Sequence, residues 1–333
     1  MENVEKQRIL VTGGTGFTGG HLVRRLISRG HEVIVLDNKQ GIVFDELEQL
    51  GAQITIGSVT DKALVDKLTA GCDTVQHLAA AFREINVPKS LYWDVNVNGT
   101  RYMLEAAQKH GVKRFVYCST CGVHGDVQNP PAPETAPITP ADYYQYTKYE
   151  GEKVAHEFMK QGMKITILRP AAIYGPEDPE RWVMLFRRST SGRFLMFGDG
   201  KATYHPLYID NLTDALELAM TKEEAVGQTY LIADAEYYQL NDLVTEIGKA
   251  QGVDVNIVHL PFTPLWLVAA IVEAVCVPLK ITPPIFRRRV DWFRQNRAFD
   301  IGKARREMGY DPRIDLRTGL ERTARWYKEH GYI

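Results

Sequence analysis

Short apolar runs alternate with amphipathic segments through the first half of the chain. Apolar runs of strand length lie at residues 9–11, 33–36, 54–56, 74–78, 115–117 and 165–168. Between most of them, apolar positions show helical spacing, at residues 20–29, 62–69, 97–110 and 144–161. Strands that alternate with helices are typical of βαβ units, whose right-handed crossovers place helices on both faces of a parallel sheet. The pattern therefore predicts an α/β fold with a doubly wound parallel sheet.

The alternation of apolar runs and amphipathic segments ends after about residue 168, where a loop rich in Pro and Gly is followed by mixed helices and strands. Helices and short strands are predicted there at residues 182–189, 194–197, 207–208, 211–220, 241–250, 265–277 and 316–328. We expect residues 1–170 to form most of the sheet, with further elements returning to it from about 200–235. Residues 171–333 are then expected to form a smaller mixed portion that is interleaved with the sheet.

The composition narrows the classes of function. Charged residues make up 24% of the 333 residues and the formal net charge is -1, so nucleic acid is not expected as a partner. The four cysteines are too few for a disulfide scaffold, and no Cys and His spacing is typical of a metal site. The first residues lack the apolar stretch of a signal peptide. We therefore expect a cytoplasmic protein without a metal.

A glycine-rich segment follows the first predicted strand. Gly13, Gly16 and Gly19 lie three residues apart between that strand and an amphipathic helix. Glycines in such a turn allow close approach to a pyrophosphate, and the helix N-terminus offers amide groups to the phosphates. Asp37 ends the second predicted strand, where a carboxylate binds the ribose hydroxyls of NAD and repels the 2′-phosphate of NADP. The segment predicts a Rossmann-type site for NAD, while Lys39 keeps NADP open as an alternative.

A tyrosine and a lysine lie on one face of a predicted helix, because Tyr144 and Lys148 are four residues apart. An ammonium group close to a phenol favours the phenolate, which lowers the pKa of the tyrosine and lets it act as a general acid or base. Ser119 and Thr120 end the fifth predicted strand, at the sheet edge where doubly wound folds bind their ligands. We expect Thr120 to hold the reacting oxygen while Tyr144 transfers the proton.

Several motifs occur in a fixed order over nearly the whole chain. They are residues 10–17 (Leu-Val-Thr-Gly-Gly-Thr-Gly-Phe), 77–80 (His-Leu-Ala-Ala), 96–100 (Asn-Val-Asn-Gly-Thr), 119–120 (Ser-Thr), 144–148 (Tyr-x-x-x-Lys), 169–176 (Arg-Pro-Ala-Ala-Ile-Tyr-Gly-Pro), 208–211 (Tyr-Ile-Asp-Asn) and 309–312 (Gly-Tyr-Asp-Pro). In this order they resemble the extended short-chain dehydrogenase/reductases, the NAD-dependent epimerase/dehydratase superfamily. The resemblance implies an NAD-binding Rossmann portion at 1–170, a mainly substrate-binding portion at 171–333, and a homodimer.

The resemblance also implies roles for individual residues. Thr120, Tyr144 and Lys148 match the catalytic set of the superfamily. The residues expected to bind NAD are Gly13, Thr15, Gly16, Phe17, Gly19, Asp37, Asn38, Ser58, Val59, Leu78, Ala79, Ala80, Tyr144, Lys148, Pro170 and Ile173. Ser58 replaces the aspartate that contacts adenine in relatives, and Asp61 lies nearby. The residues expected to contact substrate are Phe82, Cys121, His124, Tyr174 and Tyr204.

Two branches of the superfamily suggest different substrates for this chain. Nucleotide-sugar enzymes often carry an Asn after the sixth strand and an Arg after a Gly-Asp-Gly turn, whereas this chain has Ala171-Ala172 and Tyr204-His205 there. Losing such an Arg removes a charge-assisted contact to a diphosphate, unless Lys201 or Arg187 replaces it. The Arg-Pro-Ala-Ala-Ile-Tyr-Gly-Pro motif is more similar to 3β-hydroxysteroid and sterol-carboxylate dehydrogenases and to dihydroflavonol-reductase-like enzymes.

An apolar segment late in the chain, residues 264–279, is also common in that second branch. A helix of ~16 residues is ~24 Å long, short of the ~30 Å core of a bilayer. It could lie in a membrane interface, cover an apolar substrate pocket, or form a buried helix or dimer face. From residue 280 onward the chain carries 14 Lys and Arg against 7 Asp and Glu, so a basic region follows it. Peripheral membrane contact through 264–289 is therefore one expectation.

These observations favour an NAD-dependent oxidoreductase that interconverts a secondary alcohol and a ketone on a small substrate, with an apolar, sterol-like compound preferred. A nucleotide-sugar epimerase, dehydratase or decarboxylase with tightly bound NAD is the alternative. A non-catalytic NAD(H)-sensing module on the same fold is a third hypothesis, against which the complete Thr-Tyr-Lys set argues.

Overall fold

The computed structural model describes residues 5–82, 87–178, 182–276, 278–279, 281 and 283–333. In these residues the strands are β1 (Arg8–Thr12), β2 (Glu32–Asp37), β3 (Gln53–Ile56), β4 (Thr74–His77), β5 (Arg114–Cys118), β6 (Ile165–Pro170), β7 (Ala172–Tyr174), β8 (Arg193–Phe197), β9 (Thr203–Tyr204), β10 (Pro206–Tyr208), β11 (Thr229–Ile232), β12 (Tyr238–Gln239) and β13 (Asn256–Leu260).

Seven of these strands form one parallel sheet in the order β11-β6-β5-β4-β1-β2-β3. The order reverses at β1, because the chain moves outward to β3 and then returns to β4 on the other side. In open α/β sheets such a switch point leaves a crevice at the carboxyl ends of the strands, where ligands bind. The smaller pairs β7–β10, β8–β13 and β9–β12 lie outside this sheet. The predicted α/β class with a doubly wound sheet is confirmed.

The helices of the described residues are α1 (Phe17–Ser28), α2 (Phe44–Gln49), α3 (Lys62–Thr69), α4 (Lys89–Trp93), α5 (Thr100–Lys109), α6 (Tyr143–Lys160), α7 (Val183–Ser189), α8 (Ile209–Thr221), α9 (Leu240–Ala250), α10 (Phe262–Cys276), α11 (Arg287–Val290), α12 (Gly302–Met308) and α13 (Leu316–Glu329). Short polar side chains begin several of them by accepting hydrogen bonds from free amide groups of the first turn. Asp61 starts α3 in this way and Asp142 starts α6.

One predicted helix, residues 97–110, differs from the structure in its first turns. Residues Asp94–Gly99 form a π-helical turn, and the α-helix begins only at Thr100. A π-turn inserts an extra residue into the helical repeat, and such turns are frequent at functional sites. Apolar spacing alone does not reveal it, because the turn keeps Val97 on the buried side.

The core has three parts. Alternate residues of a strand face opposite sides of a sheet, and accordingly Ile9 and Val11 pack into one apolar cluster while Leu10 packs into another. A third cluster fills the C-terminal portion around Trp182 and Phe186. Both faces of the sheet are therefore covered, and its carboxyl edge lies next to the C-terminal portion.

The apolar segment near 264–279 does form a helix, α10, but it is not a buried one. Ala269 is its single buried residue among those described. Of the alternatives left open by the sequence, a helix buried within this chain is therefore wrong. Contact of α10 with a membrane interface, with an apolar substrate or with a second copy of the chain is compatible with its exposure.

Candidate active site

The glycine turn lies at the carboxyl end of β1. Gly13 has φ +71°, and a Cβ there would lie 3.1 Å from the backbone of Ala79, which follows the neighbouring strand β4. A Cβ on Gly19 would lie 2.1 Å from the carbonyl oxygen of Gly13. These two positions require glycine because the turn, the helix and the next strand end approach each other closely.

Gly16 differs from these two glycines. A Cβ added there meets only the Gly13 carbonyl oxygen at 3.5 Å, so protein packing alone does not require glycine. Gly16 is also the N-cap of α1, and no side chain caps the helix there. An open space beside free amide groups at a helix start fits a pyrophosphate group. The turn therefore suits the phosphates of a dinucleotide.

Asp37 closes the turn from the end of β2. One carboxylate oxygen accepts hydrogen bonds from the amide (2.9 Å) and the hydroxyl (2.8 Å) of Thr15, and the other accepts from the amide of Asn38 (2.8 Å). Thr15 thereby holds the carboxylate beside the glycine turn. A carboxylate in this place suits ribose hydroxyls and repels a 2′-phosphate, which fits NAD better than NADP.

The residues after β3 take local roles. The Ser58 hydroxyl lies 2.7 Å from the Thr60 hydroxyl and accepts a hydrogen bond from the Thr60 amide. The Asp61 carboxylate accepts from the amides of Ala63 and Leu64, both at 3.1 Å, as the cap of α3. Since Asp61 is used as a cap, Ser58 and the buried Val59 are the better candidates for an adenine contact.

Buried hydrogen bonds hold the last residue of β4 in place, and Leu78, Ala79 and Ala80 follow it in the chain. His77 is fully buried, which lowers its pKa to about 3, so its imidazole is neutral. Its Nδ1 lies 2.8 Å from the Thr12 hydroxyl and its Nε2 lies 3.1 Å from the Thr100 hydroxyl. Because the Thr100 hydroxyl donates to the Asn96 carbonyl oxygen, Nε2 carries the proton and Nδ1 accepts from Thr12.

The π-helical turn connects this relay to the catalytic helix. Asn96 accepts from the Ala81 amide (2.8 Å) and donates to the Ala81 carbonyl oxygen (3.2 Å) and to the Thr147 hydroxyl (2.9 Å). Thr147 lies between Tyr144 and Lys148 on α6. Asn96 and His77 are therefore positioning residues; their motifs were visible in the sequence, but their contacts were not.

Lys148 is the most unusual residue of the site. Its side chain is 1% exposed and its Nζ has no hydrogen-bond partner within the described part of the chain. The ammonium lies 4.3 Å from the centre of the Tyr117 ring, and burial lowers the pKa of Lys148 to about 8. A buried ammonium without a partner is costly and indicates a binding partner that the protein does not itself supply. Ribose hydroxyls fit that requirement.

The other two members of the expected catalytic set lie at the start of α6 and just after β5. Tyr144 is in the first turn of α6, one turn before Lys148, and its ring packs 4.8 Å from that of Phe82. Thr120 follows β5 and accepts a hydrogen bond from the Gly122 amide at 3.1 Å. Pro170 ends β6 and Ile173 lies in β7, at the same edge of the sheet. The edge thus combines the glycine turn with all three members of the expected catalytic set.

A buried ion pair lies beneath these residues. Arg169 donates from Nη2 to Glu152 at 2.6 Å, and neither side chain is more than 7% exposed. The Ser119 hydroxyl donates to the same carboxylate, which explains why Thr120 rather than Ser119 is available to a substrate. The pairing of Glu152 with Arg169 joins α6 to β6, and no motif in the sequence indicated it.

His124 belongs to that ion-pair network. Arg169 donates to its Nε2 at 3.0 Å, while its Nδ1 lies 3.1 Å from the Pro137 carbonyl oxygen. Burial, and then the nearby Arg169, lower the pKa of His124. Both ring nitrogens are thus bonded within the protein, so the structure gives His124 a packing role and does not place it toward a substrate.

The other expected substrate residues have different surroundings. Tyr174 is fully buried, with its ring centre 4.5 Å from that of Trp182. Tyr204 is 5% exposed and packs on the same tryptophan. Cys121 belongs to the buried core, and Phe82 contacts Tyr144. Two of these residues thus adjoin the expected catalytic set, Phe82 through its contact with Tyr144 and Cys121 as the neighbour of Thr120 in the chain.

Metal and disulfide chemistry find no support in the described ranges. No three His, Cys, Asp or Glu side chains there are grouped in a way that could hold a metal ion. The cysteines at 72, 118, 121 and 276 are free thiols. Within the same ranges no helix has the length and hydropathy needed to cross a membrane.

The sequence is similar to a protein family and to characterised proteins over most of its length. The sequence model of the NAD dependent epimerase/dehydratase family matches residues 9–233. The chain is 30% identical to N-acetyl-alpha-D-glucosaminyl-diphospho-ditrans,octacis-undecaprenol 4-epimerase of Escherichia coli O157:H7, over 97% of this chain and 96% of that protein. It is also 30% identical to 3beta-hydroxysteroid-dehydrogenase/decarboxylase isoform 1 of Arabidopsis thaliana, over 97% and 80% of the two chains.

Among solved structures, the chain is similar to UDP-glucose 4-epimerase of Thermotoga maritima, crystallised with UDP-glucose. The TM-score is 0.76 and the identity 29%, over 97% of this chain and 99% of that one. The relatives thus act on both classes of substrate that the sequence left open.

Proposed function

The chain belongs to the NAD-dependent epimerase/dehydratase family and is an NAD-dependent enzyme, and on this premise we propose that it interconverts a secondary alcohol and a ketone on an apolar, lipid-like substrate. The observation that carries the chemistry is Lys148, a buried ammonium without a protein partner among the described residues, one turn after Tyr144 on α6. We assign residues 1–170 mainly to NAD binding and 171–333 mainly to the substrate.

NAD, when bound, supplies the hydride acceptor or donor. The Tyr144 phenolate takes the proton of the substrate hydroxyl as that hydroxyl becomes a carbonyl, and returns it in the reverse direction. The Thr120 hydroxyl donates a hydrogen bond to the reacting oxygen. Lys148 is mainly protonated below its pKa of about 8, and its positive charge favours the phenolate. Burial of this charge strengthens its effect on Tyr144, because the surroundings screen it weakly.

Two observations support an apolar substrate. The places where nucleotide-sugar enzymes often carry an Asn and an Arg hold Ala171-Ala172 and Tyr204-His205, and the last two are buried. A buried His205, whose pKa burial lowers to about 4, does not offer a positive charge to a diphosphate. The name of the Arabidopsis relative also describes a steroid substrate, and that of the Escherichia coli relative describes a polyprenol that carries a glucosaminyl-diphospho group, so the latter supports only the apolar part of the proposal.

A nucleotide-sugar epimerase, dehydratase or decarboxylase is the second candidate. The fold of the Thermotoga enzyme, crystallised with UDP-glucose, extends over 97% of this chain. The cytoplasmic location, the homodimer and the peripheral membrane contact expected from the sequence also remain proposals. Sedimentation of the purified enzyme measures the oligomeric state.

Replacing Tyr144 with Phe tests the proposed chemistry. Loss of a general acid–base group lowers turnover by about 10²–10⁴-fold, whereas NAD affinity should change little because the phenyl ring remains. Tyr146, which is 41% exposed on the same helix, offers a matched control in Tyr146→Phe. Full activity in Tyr144→Phe would overturn the assignment.

The substrate class needs its own experiment. NADH formation should be measured with a hydroxysteroid and with other apolar secondary alcohols, and interconversion of UDP-sugars should be followed in parallel. Turnover of the apolar alcohols supports the proposal. Efficient interconversion of a free UDP-sugar without net NADH would favour the second candidate.

A further inference from the structure

Helix α10 presents an apolar face to the outside of the protein. Leu267, Val268, Ile271 and Val275 are 52%, 51%, 65% and 57% exposed. Their spacing places them on one side of an α-helix. Leu279 and Ile281, which follow the helix, are 63% and 53% exposed. A contiguous exposed apolar surface of this kind is a binding surface or an aggregation hazard.

The one charged residue of α10 is turned toward the protein. Glu273 lies 2.5 Å from Nε of Arg287, which is in α11, and the Arg287 guanidinium lies 5.7 Å from the centre of the Trp266 ring. The ion pair neutralises the carboxylate and attaches the helix on its inner side. Helix α10 therefore lacks the polar outer face that a surface helix usually has.

Basic side chains lie next to α10, because α11 is joined to it by the ion pair of Arg287 with Glu273. Arg289 of α11 and Arg188 of α7 are exposed, and within the described residues neither forms an ion pair. Nη2 of Arg289 lies 2.7 Å from Sδ of Met184, which is in α7 one helical turn before Arg188, so the two arginines lie near each other. Two arginines that approach without an acidic partner form a site suited to an anion.

We propose that the outer face of α10, together with Arg188 and Arg289, docks onto the surface of an anionic lipid bilayer. The 15-residue helix is about 22 Å long, short of a bilayer core of ~30 Å, so it would lie in the interface. Its apolar side chains enter the acyl region while the arginines contact lipid phosphates.

A second copy of the chain fits this face less well. A two-fold contact places the same patch against itself, which would bring the arginines of both copies together across an apolar contact. Like charges at an interface are unfavourable, whereas anionic headgroups neutralise them. The charge of the patch therefore favours lipid over another copy.

The docking surface is connected to the catalytic helix. Nε of Arg288 lies 2.9 Å from a carboxylate oxygen of Asp142, the N-cap of α6, two residues before Tyr144. An apolar substrate could then pass from the bilayer to the site without crossing bulk water. This consequence rests on the proposed function, whereas the docking itself does not.

Flotation with lipid vesicles tests the docking. The full chain should bind vesicles of 30% phosphatidylglycerol in phosphatidylcholine at least tenfold more tightly than vesicles of phosphatidylcholine alone, because the arginines need anionic phosphate. Leu267→Ser/Ile271→Ser and Arg188→Gln/Arg289→Gln should each weaken binding at least tenfold. Equal binding by these variants and the unmodified chain, or no binding by the unmodified chain, would overturn the proposal.

Matched controls show whether the effects are specific to α10 or follow from the loss of any exposed apolar or basic side chain. Leu50 and Leu195 are 46% and 43% exposed elsewhere, so Leu50→Ser/Leu195→Ser should leave vesicle binding unchanged. Arg313→Gln/Arg317→Gln removes two exposed charges far from α10 in sequence and should have little effect.

Two further measurements separate lipid docking from self-association and from the proposed chemistry. If sedimentation shows that Leu267→Ser/Ile271→Ser dissociates a dimer of the unmodified chain, and that chain does not float with vesicles, the face binds a second copy and the proposal is wrong. Tyr144→Phe should float like the unmodified chain. Failure of the proposed chemistry is thus distinguishable from failure of the docking.

Discussion

The carboxyl edge of the sheet and the surface of α10 depart in opposite directions from the usual distribution of side chains. At the sheet edge, Lys148, Glu152 and Arg169 are charged residues with almost no exposure. On α10, Leu267 and Ile271 are apolar and more than half exposed. Buried charges and exposed apolar patches are each unfavourable for an isolated protein. Glu152 and Arg169 offset this cost by pairing with each other, whereas Lys148, unpartnered among the described residues, and the exposed face of α10 point to molecules that the chain binds.

The two regions differ in how much of the folding free energy depends on them. The charges at the sheet edge are connected to several elements through buried hydrogen bonds, so removing one leaves others unpaired. The exposed side chains of α10 contact little, so their removal should hardly affect folding. Substitutions whose effect on the free energy of unfolding is measured can therefore test this difference between the two regions.

Glu152→Ala should have the largest effect on stability. It leaves the Arg169 guanidinium buried without its carboxylate, which costs about 3–5 kcal/mol. Urea unfolding measures the loss. The double variant Glu152→Met/Arg169→Met should lose much less, because it removes both charges together. An equal loss in both variants would show that packing, rather than charge pairing, dominates at this position.

Lys148→Met should stabilise the protein without NAD at pH 7, by on the order of 2 kcal/mol, while nearly abolishing turnover. Burial lowers the pKa of Lys148 from 10.5 to about 8, and each pKa unit corresponds to about 1.4 kcal/mol. Loss of the contact with the Tyr117 ring offsets part of the gain. Urea unfolding and steady-state kinetics measure the two effects.

The pH dependence of this effect has a definite sign. Between about pH 8 and 10.5 the folded chain releases the Lys148 proton while the unfolded chain keeps it, so this residue makes stability rise with pH in that range. The advantage of Lys148→Met should therefore shrink from pH 7 to pH 10. If the stability difference between Lys148→Met and the unmodified chain stays constant over this pH range, burial of the Lys148 charge does not destabilise the fold.

Asp234→Asn should give a smaller gain, about 1 kcal/mol at pH 7. Burial raises the pKa of Asp234 from 3.8 to about 6, and one of its oxygens has no hydrogen-bond partner in the described residues. The folded state therefore binds a proton between pH 3.8 and 6 that the unfolded state releases, and this residue makes stability fall as pH rises through that range.

The Asn side chain can keep the acceptor that serves the Tyr208 amide and the Asn211 side chain. Urea unfolding at pH 4 and pH 7 should show the difference between the variant and the unmodified chain growing with pH. A variant that is less stable at pH 7 would contradict the prediction.

Leu267→Ser/Ile271→Ser should change the free energy of unfolding least, by about 0.5 kcal/mol or less for each substitution. These side chains are mostly in solvent, so little apolar area is lost from the core. Thermal and urea unfolding in the absence of lipid provide the measurement. A loss of several kcal/mol would show that the face packs against protein, which would remove the contrast between α10 and the sheet edge.

Features that depend on neighbours in the chain could be predicted from the amino-acid sequence. Alternating apolar runs predicted the parallel sheet. The spacing of Gly13, Gly16 and Gly19 predicted the turn after β1, and the four-residue spacing of Tyr144 and Lys148 placed both on one face of α6. These signals are readable because hydrogen bonds within helices and turns link residues only a few positions apart.

Contacts between residues that are distant in the chain became known only from the fold. His77 lies between Thr12 and Thr100, and Asn96 donates a hydrogen bond to Thr147. Arg169 pairs with Glu152 and also donates a hydrogen bond to His124. Likewise, the composition of α10 is apolar on all sides, and only its attachment through Glu273 shows which face is outside. These pairings depend on how strands and helices pack across the sheet, and that packing cannot be predicted from the spacing of residues along the chain.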